Sequence, residues 1–190
     1  MKTVEEKRAL SKWFAESSNW FVLFVKTNEE QRVVERLQKR LDTDKYIAFI
    51  PTKDYAFRTK HAITTRQVPW LRGYVFIAST VTPQEFIVDV NPIINYDSFM
   101  YRILANSLHS NNVALSSHDK LIMTTILDEH FNIPAFEAVQ VWERVKINDG
   151  ILKGIGGSVV KVNKHRQTIV IEIFMLGRLL TCEIMMEYIG

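Results

Sequence analysis

The sequence predicts an α+β protein in two parts: a split βαβ, antiparallel-type sheet with packed helices, then a small closed β-barrel. Three observations carry this. From Trp20 onward the apolar patterns follow the order β-α-β-β-α-β-α, which places one sheet beneath a set of helices. The last fifty or so residues hold short β-type runs joined by tight turns, and closing such runs into a barrel removes edges that would otherwise pair with other chains. Between two of those runs, Gly154, Gly156 and Gly157 fall close together, a cost in backbone entropy that suits a place needing positive φ or close backbone approach.

Thr3 to Ser17 combine Glu, Lys, Arg, Ala and Leu with Leu10, Trp13 and Phe14 at helical spacing, predicting a short amphipathic helix within an N-terminal extension, 1–19. Such a short helix persists only by packing on something, either as a satellite on its own domain or as a docking arm on a partner. Trp20 to Lys26 is too apolar for an edge and predicts a central strand. Asn28-Glu29-Glu30-Gln31 predicts an N-cap with Gln at the third helical position, and Val33, Val34, Leu37 and Leu41 supply one apolar face. Tyr46 to Tyr55 reads as a strand with a bulge or edge at Pro51. A polar, basic span from Arg58 to Arg66 separates it from the apolar strand Leu71 to Ala78. The two strands predict a long hairpin with Arg58, Lys60 and Arg66 at a mobile tip.

Thr82-Pro83-Gln84-Glu85 is a complete helix start, and Pro92 predicts that this helix stops near Val90. Ser98 to Leu104 alternates as a strand, and Ser116 to Asp119 opens a helix that runs to about His130. Asn132 to Ala138, with Pro134, reads as a linker between domains at 20–131 and 139–190. In the second domain, Val145 and Ile147 alternate with Arg144 and Lys146, and Asn148-Asp149-Gly150 accepts turn conformations. Strands follow at Ser158 to Val162, Thr168 to Phe174 and Leu179 to Ile184, with turns at Asn163 to Gln167 and at Gly177.

Composition narrows the function classes. The 190 residues are 47% hydrophobic and 11% aromatic, ordinary for a packed soluble domain pair rather than a disordered chain. A net charge of +3 does not by itself demand nucleic acid, so partners have to be argued from local sites. The single cysteine, Cys182, cannot form an internal disulfide and reads as a buried or half-buried strand residue. No apolar run approaches membrane-spanning length, and the start MKTVEEKRAL is charged where a signal peptide is apolar, so a cytoplasmic protein with no membrane partner is expected.

Val145-x-Ile147-x-x-Gly150-x-x-x-Gly154-x-x-Gly157-x-Val159 resembles the KOW motif, found in transcription elongation factors and ribosomal proteins on an SH3-like barrel. Met175-Leu176-Gly177-Arg178 resembles the I-F-G-R segment of the NusG family. In the first domain, Trp20-Phe21-Val22, Phe49-Ile50-Pro51-Thr52 and Trp70-Leu71-Arg72-Gly73-Tyr74-Val75 resemble that family's W-Y-V, V-P-T and F-F-P-G-Y-V, and Val90-Asn91-Pro92 falls where it has V-x-x-V-P. Arg72 stands where the family usually has proline, and Leu176 where it usually has phenylalanine. Phe24 to Glu30 looks most like the specialised, operon-specific LoaP paralogues.

The resemblance implies a monomeric, non-enzymatic elongation and antitermination factor without cofactors. It implies that Trp20, Trp70, Leu71 and Tyr74 line a seat for the clamp helices of RNA polymerase's largest subunit. Its further implied partners are a nascent RNA hairpin, upstream DNA near the Arg58, Lys60 and Arg66 tip, and a small-subunit ribosomal protein on a KOW surface at Leu176 and Arg178. Within the barrel, Lys161, Lys164, His165 and Arg166 cluster at one hairpin, positive and narrow enough to follow RNA phosphates. For each seat residue, core packing is the competing reading, because strand alternation sends about half of them to the other face.

Other chemistry has little support. His61, His109, His118, His130 and His165 lack an i, i+4 pair or cysteine partners, which argues against a metal site. There is no GxxxxGKS/T or GxGxxG, and the glycines lie between strands instead of opening a helix. A general NusG-type elongation factor remains an alternative, as does a ribosome-associated KOW RNA-binding protein, although the latter predicts a more basic chain.

Overall fold

The computed structural model describes residues 17, 19–58, 63–105, 113–141, 144–147 and 150–188. The helix expected at Thr3 to Ser17 lies outside these residues. Strands β1 (Asn19–Val25), β2 (Tyr46–Phe49), β5 (Tyr74–Ser79) and β6 (Met100–Ile103) form a four-stranded sheet in the order β2-β5-β1-β6. All of its described pairings are antiparallel. A second sheet, β4-β3-β7, contains β3 (Thr52–Arg58), β4 (Ile63–Pro69) and β7 (Asn132–Ile133). The third, β10-β11-β12-β8-β9, makes the C-terminal β-domain from β8 (Phe136–Val141), β9 (Arg144–Ile147), β10 (Ser158–Asn163), β11 (Thr168–Met175) and β12 (Arg178–Tyr188). Helices α1 (Glu30–Arg40), α2 (Pro83–Asn95), α3 (Ser117–Ile126) and a single turn α4 (Gly150–Gly154) complete the described elements. The architecture is α+β, as the sequence predicts.

Strand alternation divides the four-stranded sheet into two apolar faces. Phe21, Leu23, Val25, Val75 and Ile77 face α1, through Val33, Val34 and Leu37, and α2, through Phe86, Val90 and Ile93. Trp20, Val22, Phe76 and Ala78 belong to the opposite core, shared with α3 and with the C-terminal β-domain. The sheet is therefore buried on both sides.

Several local expectations shift. The run Tyr46 to Tyr55 is two strands in different sheets, because the chain turns from β2 to β3 at Ile50-Pro51. The polar span before Trp70 contains β4, so the long hairpin divides: β2 pairs with β5, and β3 with β4. Helix α1 has Glu29 at its N-cap with no side-chain cap, because Asn28 adopts positive φ (68°) one residue earlier. Thr82 and Glu85 form the expected capping box, but α2 continues through Pro92 to Asn95. Pro92 lies on the solvent face, where water can serve the unpaired carbonyl one turn back, while buried Ile93 rewards the extra turn.

Helix α3 ends at Ile126, short of His130, with Leu127 extended at its C-cap. The stretch 132–138, expected as a linker, is largely built into sheets: β7 runs parallel to β3, and β8 begins at Phe136. Ile133, Phe136 and Ala138 are buried there, which a solvated tether would not do. In the glycine cluster, Gly150 to Gly154 form α4 instead of an open turn. Gly156 adopts φ +68°, and a Cβ on Gly157 would come within 3.2 Å of the Ile173 side chain, so both positions favour glycine.

Candidate functional site

Of the four residues expected to line a seat, three lie deep in the core formed between the sheet and the C-terminal β-domain. Trp20 is 1% exposed, while Trp70 and Leu71 are each 8% exposed. Trp20 Nε1 donates to Ser17 Oγ at 2.7 Å, and its ring meets Phe49 edge-on at 5.5 Å. Tyr74 is half-buried and packs at the margin of the same core. The structure thus brings all four onto one apolar core. It also covers them, with Ile122, Met123 and Ile126 of α3 and with Ile169, Ile171, Ile173 and Met175 of β11 among the residues of that core.

Polar contacts fasten the C-terminal β-domain over this face. Lys53 Nζ donates to the Glu183 carbonyl at 2.6 Å. The Leu176 backbone N–H donates to Asp119 Oδ1 at 3.1 Å, and Arg178 Nη2 donates to the Tyr74 hydroxyl at 3.3 Å. The Arg178 guanidinium also lies 5.8 Å from the Tyr74 ring centre, within cation–π range. Leu176 and Gly177 both adopt positive φ in the two-residue turn between β11 and β12, the geometry of a tight hairpin, which points the Leu176 N–H at α3. Leu176 and Arg178, expected to face a separate partner, are therefore engaged within the chain. Burial pushes the Cys182 thiol up, against an opposing pull from Lys53 and Trp70, so Cys182 is an inert core residue.

The Trp70 to Gly73 segment is set by a contact that sequence reasoning missed. Glu30 is buried, and its carboxylate accepts from the Gly73 backbone N–H at 2.7 Å, while the Gly73 carbonyl accepts from Val25 N–H at 2.8 Å. Gly73 has φ +80°, and a Cβ there would meet the Val25 carbonyl and Thr27 Oγ1 at 3.3 Å. In sequence Glu30 is indistinguishable from an ordinary first-turn acid.

The basic candidates fall in two places. Lys161, Lys164, His165 and Arg166 are exposed, and the last three occupy the β10–β11 turn, shaped by Arg166 N–H donating to Asn163 Oδ1 at 3.0 Å and by positive φ at Gln167. Arg58 ends β3 opposite Ile63, and Arg66 is exposed on β4 opposite Tyr55. Lys60 lies outside the described residues. Two exposed aromatics between these places, Tyr55 and Phe57, were not singled out from sequence. Their i, i+2 spacing beside Arg58 was the available signal.

The fold is thus an α+β sheet-and-helix part whose aromatic sheet face is closed by a β-rich C-terminal region of the same chain. The family described as transcription termination factor NusG matches residues 18–118, more than half of the chain, and the chain belongs to the NusG family. It is thus a transcription elongation and antitermination factor in general terms, from a non-enzymatic family whose members bind RNA polymerase. None of the curated proteins matches it. Among solved structures, NusG of Thermotoga maritima, described under "Domain interaction in Thermotoga maritima NusG", is similar in fold. The match has 14% identity and a TM-score of 0.52, and covers 88% of this chain and 93% of that one. Among the described residues no helix is long and apolar enough to cross a membrane.

Proposed function

We propose that the chain is an operon-specific, LoaP-like antitermination factor that seats RNA polymerase's clamp helices on Trp20, Trp70, Leu71 and Tyr74 after its C-terminal β-domain moves aside. One observation carries the reading: these four residues converge on a single aromatic face, and the chain covers that face with its own second domain. An apolar face of that kind cannot stay in water, so the β-domain and polymerase compete for it. In this reading 20–131 and 139–190 act as separable domains. Undocking frees Leu176 and Arg178 for a second partner, for which a small-subunit ribosomal protein is the family-based choice. Lys161, Lys164, His165 and Arg166 contact a nascent RNA hairpin, and Arg58, Lys60 and Arg66 lie toward upstream DNA.

Binding of purified RNA polymerase to the full chain tests the seat. The Asp119→Ala/Arg178→Ala variant removes two of the docking hydrogen bonds, each contributing about 0.5–1.5 kcal/mol, so polymerase affinity should rise about tenfold. Adding Tyr74→Ala should lower affinity again. Unchanged affinity in both variants would reject this face as the seat. Transcription on templates with and without an upstream RNA hairpin tests operon specificity: equal readthrough on both would leave a general elongation factor.

A further inference from the structure

The β3–β4 hairpin and the β-domain together form a cleft of about 400 Å³, lined by Tyr55, Ala56, Phe57, Arg166, Thr168 and Glu183. That size lies within the range of small-ligand clefts, roughly 300–1,000 Å³. Tyr55 and Phe57 are 37% and 39% exposed and meet edge to face at 5.0 Å. Arg66 lies over Phe57, 5.5 Å from the ring centre. The two rings share one strand face, open to solvent and flanked by arginines from both parts of the chain; among the described residues Tyr96, Tyr101 and Phe174 are more exposed still, but none of them lines this cleft.

We infer that this cleft binds single-stranded nucleic acid, with bases stacked on Tyr55 and Phe57 and the backbone running along the rim past Arg66 and Arg166. The chemistry favours this occupant. Stacking needs exposed aromatic faces and tolerates any base, and the rim cations match phosphates. Glu183 sits among the lining residues, its Oε1 accepting from Thr168 Oγ1 at 2.8 Å. A carboxylate there repels phosphate, so the backbone stays on the rim and the bases point inward. A duplex buries its base faces in its own stack and cannot use the rings. The two basic stretches, far apart in sequence, thereby belong to one surface. The inference rests on the proposed function only for its choice of nucleic acid as partner, and not on the polymerase seat.

Fluorescence anisotropy on the full chain tests it, with a twelve-nucleotide oligouridine (about one OB-fold-sized site), the matching oligothymidine, and a fully paired RNA hairpin as probes. Tyr55→Ala and Phe57→Ala should each weaken single-strand binding about tenfold, while Tyr55→Phe stays within about twofold of the wild type. Arg66→Ala and Arg166→Ala should each flatten the salt slope by about 0.7. Tighter binding of the RNA oligomer would point to a nascent transcript, and of the DNA oligomer to a displaced strand, and either supports the cleft. Hairpin binding that is unchanged in Tyr55→Ala/Phe57→Ala, with no single-strand binding, would overturn the cleft and leave the basic-turn reading standing. Absence of binding to all three probes would overturn both, leaving the polymerase seat to its own assay.

Discussion

If sheet and β-domain share one core, damage at their junction must be felt on both sides. Met123 is the place to test this: it is fully buried in α3, which packs against β11, and belongs to the same cluster as Trp20 and Phe76. Met123→Ala removes a buried side chain without introducing a polar group, and such truncations cost about 2–5 kcal/mol. For a chain of this size each kcal/mol corresponds to about 2–4 °C, so the unfolding midpoint should fall by roughly 10 °C. Hydrogen exchange followed by mass spectrometry resolves where protection is lost. Peptides spanning β1 and β11 should both exchange faster, and by similar factors. Faster exchange in β11 with β1 unchanged would show two cores that merely touch, and the covered-face argument would fail with it.

Gly73→Ala should destabilise by about 1–2 kcal/mol, read as a lower urea midpoint, since alanine is strained at φ +80° and its Cβ crowds the Val25 carbonyl. The same variant should weaken polymerase binding, because Gly73 fixes the turn between Leu71 and Tyr74. Acid sensitivity should depend on Asp97. Burial alone would raise its carboxyl, but the Phe99 N–H at 2.9 Å and Arg36 at 2.5 Å hold it below the ordinary value. A depressed carboxylate contributes stability that is fully present above its unfolded pKa and is lost as pH falls through the folded one. Asp97→Asn should therefore be less stable by about 1–2 kcal/mol at neutral pH, with a shallower acid limb; an acid limb of unchanged steepness would count against the pairing.

The sequence was most informative where one physical rule decides the outcome. Continuous apolar runs marked β1 and β5, β-type runs between turn residues marked β11 and β12, and Thr82 with Glu85 announced α2. It was least informative where the outcome depends on distant partners. Asn132 looks like a loop residue, yet it is held by Thr52 Oγ1 at 2.9 Å and donates to Asp54 Oδ1 at 3.2 Å, contacts about eighty residues away in the chain. Pro92 reads as a stop because propensity cannot see that its missing hydrogen bond falls on the wet side of α2. The grouping of Trp20, Trp70, Leu71 and Tyr74 came from resemblance alone, against alternation, which sends about half of such residues to the other face. That the chain's own β-domain would cover them was not legible, since no local pattern distinguishes a face waiting for a partner from one already closed.

The proposed cleft and the proposed seat impose opposite demands on how the two parts of the chain are arranged. Arg166, Thr168 and Glu183 line one cleft with Tyr55 and Phe57 in this arrangement, whereas Trp20 and its neighbours are buried in it and would meet another protein only if the β-domain moved aside. A single strand in the cleft would therefore bind the docked form better, and polymerase the undocked form. Ligands that prefer different conformations must lower one another's affinity by the same factor, whatever the order of binding. The size of that factor is bounded by the docking free energy, which combines the Lys53, Asp119 and Arg178 contacts with the apolar burial around Met123. The residues that close the sheet would then also set how strongly a nucleic acid and a polymerase exclude each other on this chain.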